Sequence, residues 1–262
     1  MKILHVITDL ETGGVPLHLF RLTKYLWGQG ADVKVVSLAP AGPVSEMLAE
    51  AGIASLTCQA RSPWDWRVVE RLAGIIDAYR PDCVHSLLFH ANLAARCAGV
   101  LAGFDRRRLI CEIQTVEIER RWHLPLDRLT QWLCGCVVGN SPSVIEHLAT
   151  RGRLARHRLR LIQGGVDVDA IQSAQPVARA ALGIPDEGPL LVWVGRLDPI
   201  KGLDVLVRAF ERVQDTAAAQ LALVGDGPLR AEVDRWVASS RAGHRIHLLR
   251  VRNDVPSILR SA

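Results

Sequence analysis

Residues Val194 to Phe210 read VGRLDPIKGLDVLVRAF, entered from the apolar run LLVWV of residues 190–194. A short apolar run bounded by glycine is what a strand buried on both faces requires. The loop after it carries Arg196 and Lys201, and an amphipathic helix begins near Gly202. Two fixed cations at the C-terminal end of a strand, beside a helix N-terminus, form a site for a phosphate or diphosphate.

Working outward, the same strand–loop–helix unit recurs along the chain. Strands are expected at Ile3–Ile7, Val33–Leu38, Ile53–Thr57, Cys83–Ser86, Leu109–Ile113, Cys136–Gly139 and Leu159–Ile162. Helices alternate with them, the first with Val15, Leu19, Leu22 and Leu26 on one face and Pro16 in its first turn. Alternation at this spacing means an α/β architecture, a parallel sheet covered on both faces. Residues 1–165 are read as one doubly wound domain, and 166–185 as a polar joint ending in a short helix at Leu182-Gly183. The pattern restarts over 186–262 with strands at Leu190–Val194, Leu221–Val224 and Ile246–Leu249. Nucleotide-binding sheets of this type usually hold about five or six strands in the order 3-2-1-4-5-6. The second sheet is therefore expected to be incomplete, with Leu190–Val194 as an uncovered edge.

Composition narrows the class. Of 262 residues, 49% are hydrophobic and 23% charged, the balance of a globular chain. The net charge of +5 favours an anionic partner without choosing which. No aromatic–basic pattern points to nucleic acid. Cys58, Cys83, Cys97, Cys111, Cys134 and Cys136 include no C-x-x-C pair and read as buried free thiols of a reducing compartment. The N-terminal segment MKILHVITDLETGG is interrupted by Asp9 and Glu11, unlike a secretory signal, and no run is long enough to span a bilayer. The expected location is cytoplasmic, with a peripheral contact on the inner membrane face left open.

Four segments together resemble the family 4 glycosyltransferases, retaining enzymes with two facing Rossmann-like domains (the GT-B fold). They are Gly13-Gly14 in TDLETGGV, VHSLLFHAN at 84–92, IQGGVD at 162–167, and VGRLDPIKGLDVLVRAF followed by LVGDGPLRAEV at 223–233. The last carries most of the match, because strand, arginine, Lys-Gly, amphipathic helix and Gly-Asp-Gly-Pro recur in order. The resemblance implies that Arg196 and Lys201 bind the diphosphate of a nucleotide-sugar donor. It implies that Gly13 and Gly14 let backbone N–H groups approach a phosphate or the acceptor. Gly225, Asp226 and Gly227 form a loop near the nucleotide. His85 and His90 are the candidate catalytic residues, for sugar or acceptor contact, beside a structural reading of each. Neither a metal nor another cofactor is implied, since side chains and helix N-termini replace the ion. The acceptor is a sugar, a lipid or another small molecule.

Two departures from that family pattern stand out. No histidine directly follows the fifth strand in EIQTVEIERRWHLP, leaving Glu112, Glu117, Glu119 and His123 nearby without an assigned role. The glutamate-bearing segment that the family places further on is also missing, so the chain reads as C-terminally truncated. That leaves a second reading beside the enzyme: a non-catalytic half-enzyme, or a partner-dependent binding protein that associates through the exposed edge. A GT-B epimerase ranks below both, its acid–base carboxylates not being recognisable. The Asp167-Val168-Asp169 triplet is read as part of the joint rather than a metal motif. The arginines Arg151, Arg153, Arg156, Arg158 and Arg160 are read as a solvated loop or an anionic-lipid contact. Trp64 and Trp66 beside Arg61 and Arg67 are read as an acceptor or membrane contact or as helix-entry packing.

Overall fold

The structure, a computed structural model, describes residues 1–62, 65–116, 122–214 and 217–262. Trp64, Glu117 and Glu119 lie outside the described residues. The chain divides into two compact units, Met1–Gly165 and Val166–Ala262.

The first unit alternates β1 (Lys2–Ile7), α1 (Gly14–Gly28), β2 (Asp32–Ser37), α2 (Pro43–Glu50), β3 (Ser55–Thr57), α3 (Arg67–Tyr79) and β4 (Cys83–Leu87). It continues through α4 (Phe89–Leu101), β5 (Leu109–Ile113), α5 (His123–Thr130), β6 (Cys136–Gly139), α6 (Pro142–Thr150) and β7 (Leu159–Leu161). The seven strands are parallel, in the order β3-β2-β1-β4-β5-β6-β7. The order reverses between β1 and β4, which is where open sheets of this kind hold ligands. Strand β1 shows why both faces must be covered. Leu4 and Val6 enter a core with Leu72, Ile76, Ala95 and Val144, while Ile7 packs on the opposite face with Leu19, Val44 and Leu48. The first helix buries Pro16, Leu19 and Thr23, so its inner stripe is rotated slightly from the expected Val15–Leu26 line.

The second unit holds α7 (Val168–Ser173), β8 (Leu190–Val194), α8 (Leu203–Val213), β9 (Gln220–Val224), α9 (Arg230–Ser239), β10 (Ile246–Leu249) and α10 (Val255–Leu259). Its parallel sheet has the order β10-β9-β8. One face packs on Leu203, Val207, Phe210 and Val233, the other on Leu182, Ile184 and Ile258. Segment 166–185 packs within this unit, and Ser261 Oγ donates to the Val177 carbonyl at 2.7 Å. Helix α7 was not expected in that polar stretch. It forms because the Asp167 carboxylate accepts from the Ala170 N–H at 2.9 Å and caps its first turn. Strand β8 pairs with β9 and with no other described strand, and Leu191 and Val194 are exposed. Each unit is thus a Rossmann-like parallel sheet, the α/β class expected of a GT-B-like chain.

All six cysteines are free. Cys58, Cys111 and Cys134 are buried and the other three are half-buried.

Candidate functional site

In the second unit, the end of β8 and the end of β9 form one fused surface. The Leu197 N–H donates to the Asp226 carbonyl at 3.0 Å, and the Leu229 N–H to the Leu197 carbonyl at 3.0 Å. Glycine is required at both turns. Gly225 has φ +140°, and a Cβ there would lie 2.0 Å from the Gly195 carbonyl oxygen. At Gly227 a Cβ would lie 2.5 Å from the Leu197 carbonyl oxygen. No side chain fits between these loops, so backbone groups line this edge. Asp226 accepts from the Gly227 N–H at 2.8 Å, which holds the turn.

The two cations stand on this edge. Arg196 is exposed and ion-paired to Asp198, whose carboxylate also accepts from the Ile200 N–H at 3.3 Å. Asp198 therefore orients the guanidinium and starts the turn that carries Lys201. Sequence reading passed over it, although its place two residues after Arg196 was visible. Lys201 makes no ion pair with any described residue. Gly202, at φ +61°, then redirects the chain into α8, which begins at Leu203. Arg196 and Lys201 both lie in the loop between β8 and the start of α8, cations with which this edge can hold an anion.

The first unit carries a second constellation at the switch point. Register sets it up: His5 on β1 lies beside His85 on β4, and Ile7, Leu87 and Glu112 form the next row. The His85 Nε2 is 2.9 Å from Glu112 Oε2, and His18 Nε2, on α1, is 3.9 Å from Oε1. Gln114 Nε2 donates to Oε1 at 2.7 Å. The Glu112 main chain is held too, its carbonyl accepting from Asn92 Nδ2 at 2.9 Å and from the Leu88 N–H at 3.3 Å. Leu88 sits at φ +74°, a region sparsely populated by non-glycine residues, as is common where a backbone is shaped for a site. Burial pushes the Glu112 carboxyl up. The hydrogen bond and charge of His85, the Gln114 hydrogen bond and the His18 charge outweigh it, so its pKa is lowered and the group stays ionised. His5 beneath is fully buried, with neither ring nitrogen hydrogen-bonded to a described residue. Burial, then the charges of His85 and His18, lower its pKa well below the usual histidine value.

Gly13 caps α1 in extended conformation, with no side-chain cap. A Cβ at Gly14 would meet nothing within 4 Å, so packing does not demand glycine there and the space is open. Of the two candidate histidines, His85 joins the Glu112 cluster. His90, in the first turn of α4, instead stands among rings, 5.3 Å from Phe89 and 6.4 Å from Trp122. His123 is buried and stacked on Phe89 at 3.6 Å. His5, His18 and Gln114 were not singled out from sequence. A histidine in the middle of the apolar run Ile3–Ile7 was the available signal. Asp167 caps α7, and among the described residues no group of three or more His, Cys, Asp or Glu is placed to hold a metal ion. Asp65 accepts from the Arg61 and Arg67 N–H groups at 3.2 Å each, an entry turn for α3, and leaves Trp66 exposed.

The chain is similar to known proteins in sequence and in fold. Residues 12–170 match the model of Glycosyltransferase Family 4, and residues 188–262 that of Glycosyl transferases group 1. A D-inositol 3-phosphate glycosyltransferase of Salinispora arenicola is 32% identical over 110 residues, 38% of this chain and 25% of that protein. An uncharacterized glycosyltransferase of Methanocaldococcus jannaschii is 21% identical over 257 residues, 90% of this chain and 65% of that one. The crystal structure of Anabaena HepE in complex with UDP and glucose superposes with a TM-score of 0.83 at 18% identity, covering all of this chain and 72% of HepE. The chain thus spans only part of the relatives it matches. With the family match running over more than half of its residues, the chain belongs to Glycosyltransferase Family 4.

Proposed function

We propose that the chain takes part in transferring a sugar from a nucleotide-diphosphate donor to a hydroxyl-bearing acceptor, with retention of configuration and without a metal. The observation that carries this is the edge of the second unit, where Arg196 and Lys201 stand on loops fused through Gly225 and Gly227. As the glycosidic C–O bond breaks, negative charge collects on the leaving diphosphate. Cations held there stabilise that charge more in the transition state than in the ground state, which is the condition for acceleration. A solved relative in fold holds UDP and glucose, and this supports a uridine nucleotide as the first donor to try.

Retention needs no protein nucleophile when the acceptor attacks the face that the diphosphate leaves and a leaving-group oxygen takes its proton. In this reading the first unit serves the acceptor. Glu112 is ionised and fixed by His85 and Gln114, so it accepts a hydrogen bond from a hydroxyl rather than attacking carbon. Gly13 and Gly14 leave room for the ligand at the start of α1.

Calorimetry with UDP and with UDP-sugars tests the donor half. Arg196→Ala and Lys201→Ala are each expected to weaken binding by about 10-fold or more, the loss of one charge-assisted contact. A wild-type chain that binds no nucleotide diphosphate, or variants that bind it equally well, would sink the proposal. A second reading, a partner-dependent binding protein, is favoured by one observation, the uncovered edge of β8.

A further inference from the structure

Helix α5 packs Leu124 against the core but leaves other apolar side chains outward. Its buried residues are His123 and Asp127, and Asp127 is held inward by Arg96, fully buried, at 2.7 Å. The opposite side carries Pro125, Arg128 and Leu129, with Trp132 one turn further on. Leu129 is 68% exposed and Trp132 54%. A helix on a water-facing surface ordinarily shows the reverse pattern.

Arginines gather at the same place. Of the five between 151 and 160, Arg156 pairs with Glu146 at 3.0 Å, Arg158 donates to the Cys134 carbonyl, and Arg160 to the His157 carbonyl. Among the described residues, Arg151 and Arg153 have no such side-chain partner, and they line one open depression with Pro125, Arg128, Leu129 and Trp132. None of Arg128, Arg151 and Arg153 makes an ion pair with a described residue. Their placement is built rather than loose. The Gly152 N–H donates to the His147 carbonyl at 3.0 Å, a Cβ at Gly152 would lie 2.6 Å from the Leu148 carbonyl oxygen, and Arg153 is held at φ +52°.

We propose that this face of the first unit docks on an anionic lipid bilayer, with Leu129 and Trp132 entering the interface and the three arginines meeting lipid phosphates. A soluble anion would satisfy the arginines and leave the apolar side chains wet. An apolar protein face would cover Leu129 and Trp132 and strand three guanidinium groups. An anionic bilayer surface answers both at once, since headgroups and acyl boundary lie within reach of one short face. The proposal does not rest on the transfer reading.

Co-sedimentation of the whole chain with vesicles tests it. Binding is expected to equimolar phosphatidylglycerol and phosphatidylcholine, and little to phosphatidylcholine alone. Each of Arg128→Ala, Arg151→Ala and Arg153→Ala is expected to lower partitioning about 5-fold. The double change Leu129→Ser with Trp132→Ser is expected to weaken binding most at high salt, where charge attraction is screened. Circular dichroism of these surface variants checks that they fold. The proposal is overturned if the wild type ignores both vesicles, if it binds them equally, or if folded variants bind like the wild type. Binding to RNA or heparin with none to vesicles overturns it as well.

Discussion

His5 shows how one side chain can report on a site. It lies fully buried beside His85, its ring centroid 5.2 Å away, with no hydrogen-bond partner for either nitrogen among the described residues. A group whose protonation is suppressed in the folded state is neutral there and takes up a proton only on unfolding. Below its ordinary pKa of about 6.5, the unfolded chain therefore binds one proton that the folded chain refuses. Stability from this source is complete above that pH and falls as the pH drops below it, at up to about 1.4 kcal/mol per pH unit. His5→Leu fills similar space without the polar atoms. We expect urea unfolding of the variant to lose less stability than the wild type between pH 7.5 and 5.5, by about 1 kcal/mol. Equal losses in both proteins would show that His5 does not carry this linkage. Glu112 has the opposite bearing: its lowered pKa keeps a carboxylate ionised next to His85 through the neutral range. Its presence in the chain was visible beforehand, but its role was not. Its partners come from β4, α1 and two residues further along, and only the register brings them to one carboxylate.

The glycines of two loops separate packing from binding at the element scale. The β9–α9 turn cannot accept a side chain, because Gly225 touches the Gly195 carbonyl and has positive φ. Gly225→Ala is expected to cost the second unit about 3 kcal/mol or more, combining overlap and backbone strain, as a thermal or denaturant melt would record. Gly14→Ala has open space and a place at the start of a helix, where alanine is the better residue. It is expected to leave folding unchanged or slightly improved while lowering affinity for the ligand that uses the space. A Gly225→Ala protein as stable as the wild type would refute the close approach. The helices were legible where their apolar stripes were. The start of α5 was not, because its inner residues, His123 and Asp127, are polar: His123 stacks on Phe89 and Asp127 pairs with the buried Arg96, and neither follows from periodicity. Helix α7 was hidden for a related reason: a single capping aspartate, not an apolar face, sets its start.

For the whole molecule, the edge of β8 that pairs with no other described strand is where association is expected. An exposed strand edge with Leu191 and Val194 turned to solvent is a template for a further strand. Light scattering at rising concentration is expected to show reversible self-association of the chain as described. A strictly monomeric chain that exposes no apolar surface to a hydrophobic dye would count against both the association and the partner-dependent reading. The two Rossmann-like parallel sheets and the family were readable from the sequence. Alternating apolar runs and helical stripes are local signals, and the Arg-Lys-Gly loop is a contiguous one. The tertiary structure alone decided which polar groups meet: His5 with His85, His85 and Gln114 with Glu112, Arg196 with Asp198. It also turned two arginines of a five-arginine run toward Leu129 and Trp132 while spending the other three on internal contacts. The reason is physical. Strand periodicity is written into neighbouring residues, whereas a polar cluster depends on register between strands far apart in the chain and on what burial leaves each group to bind.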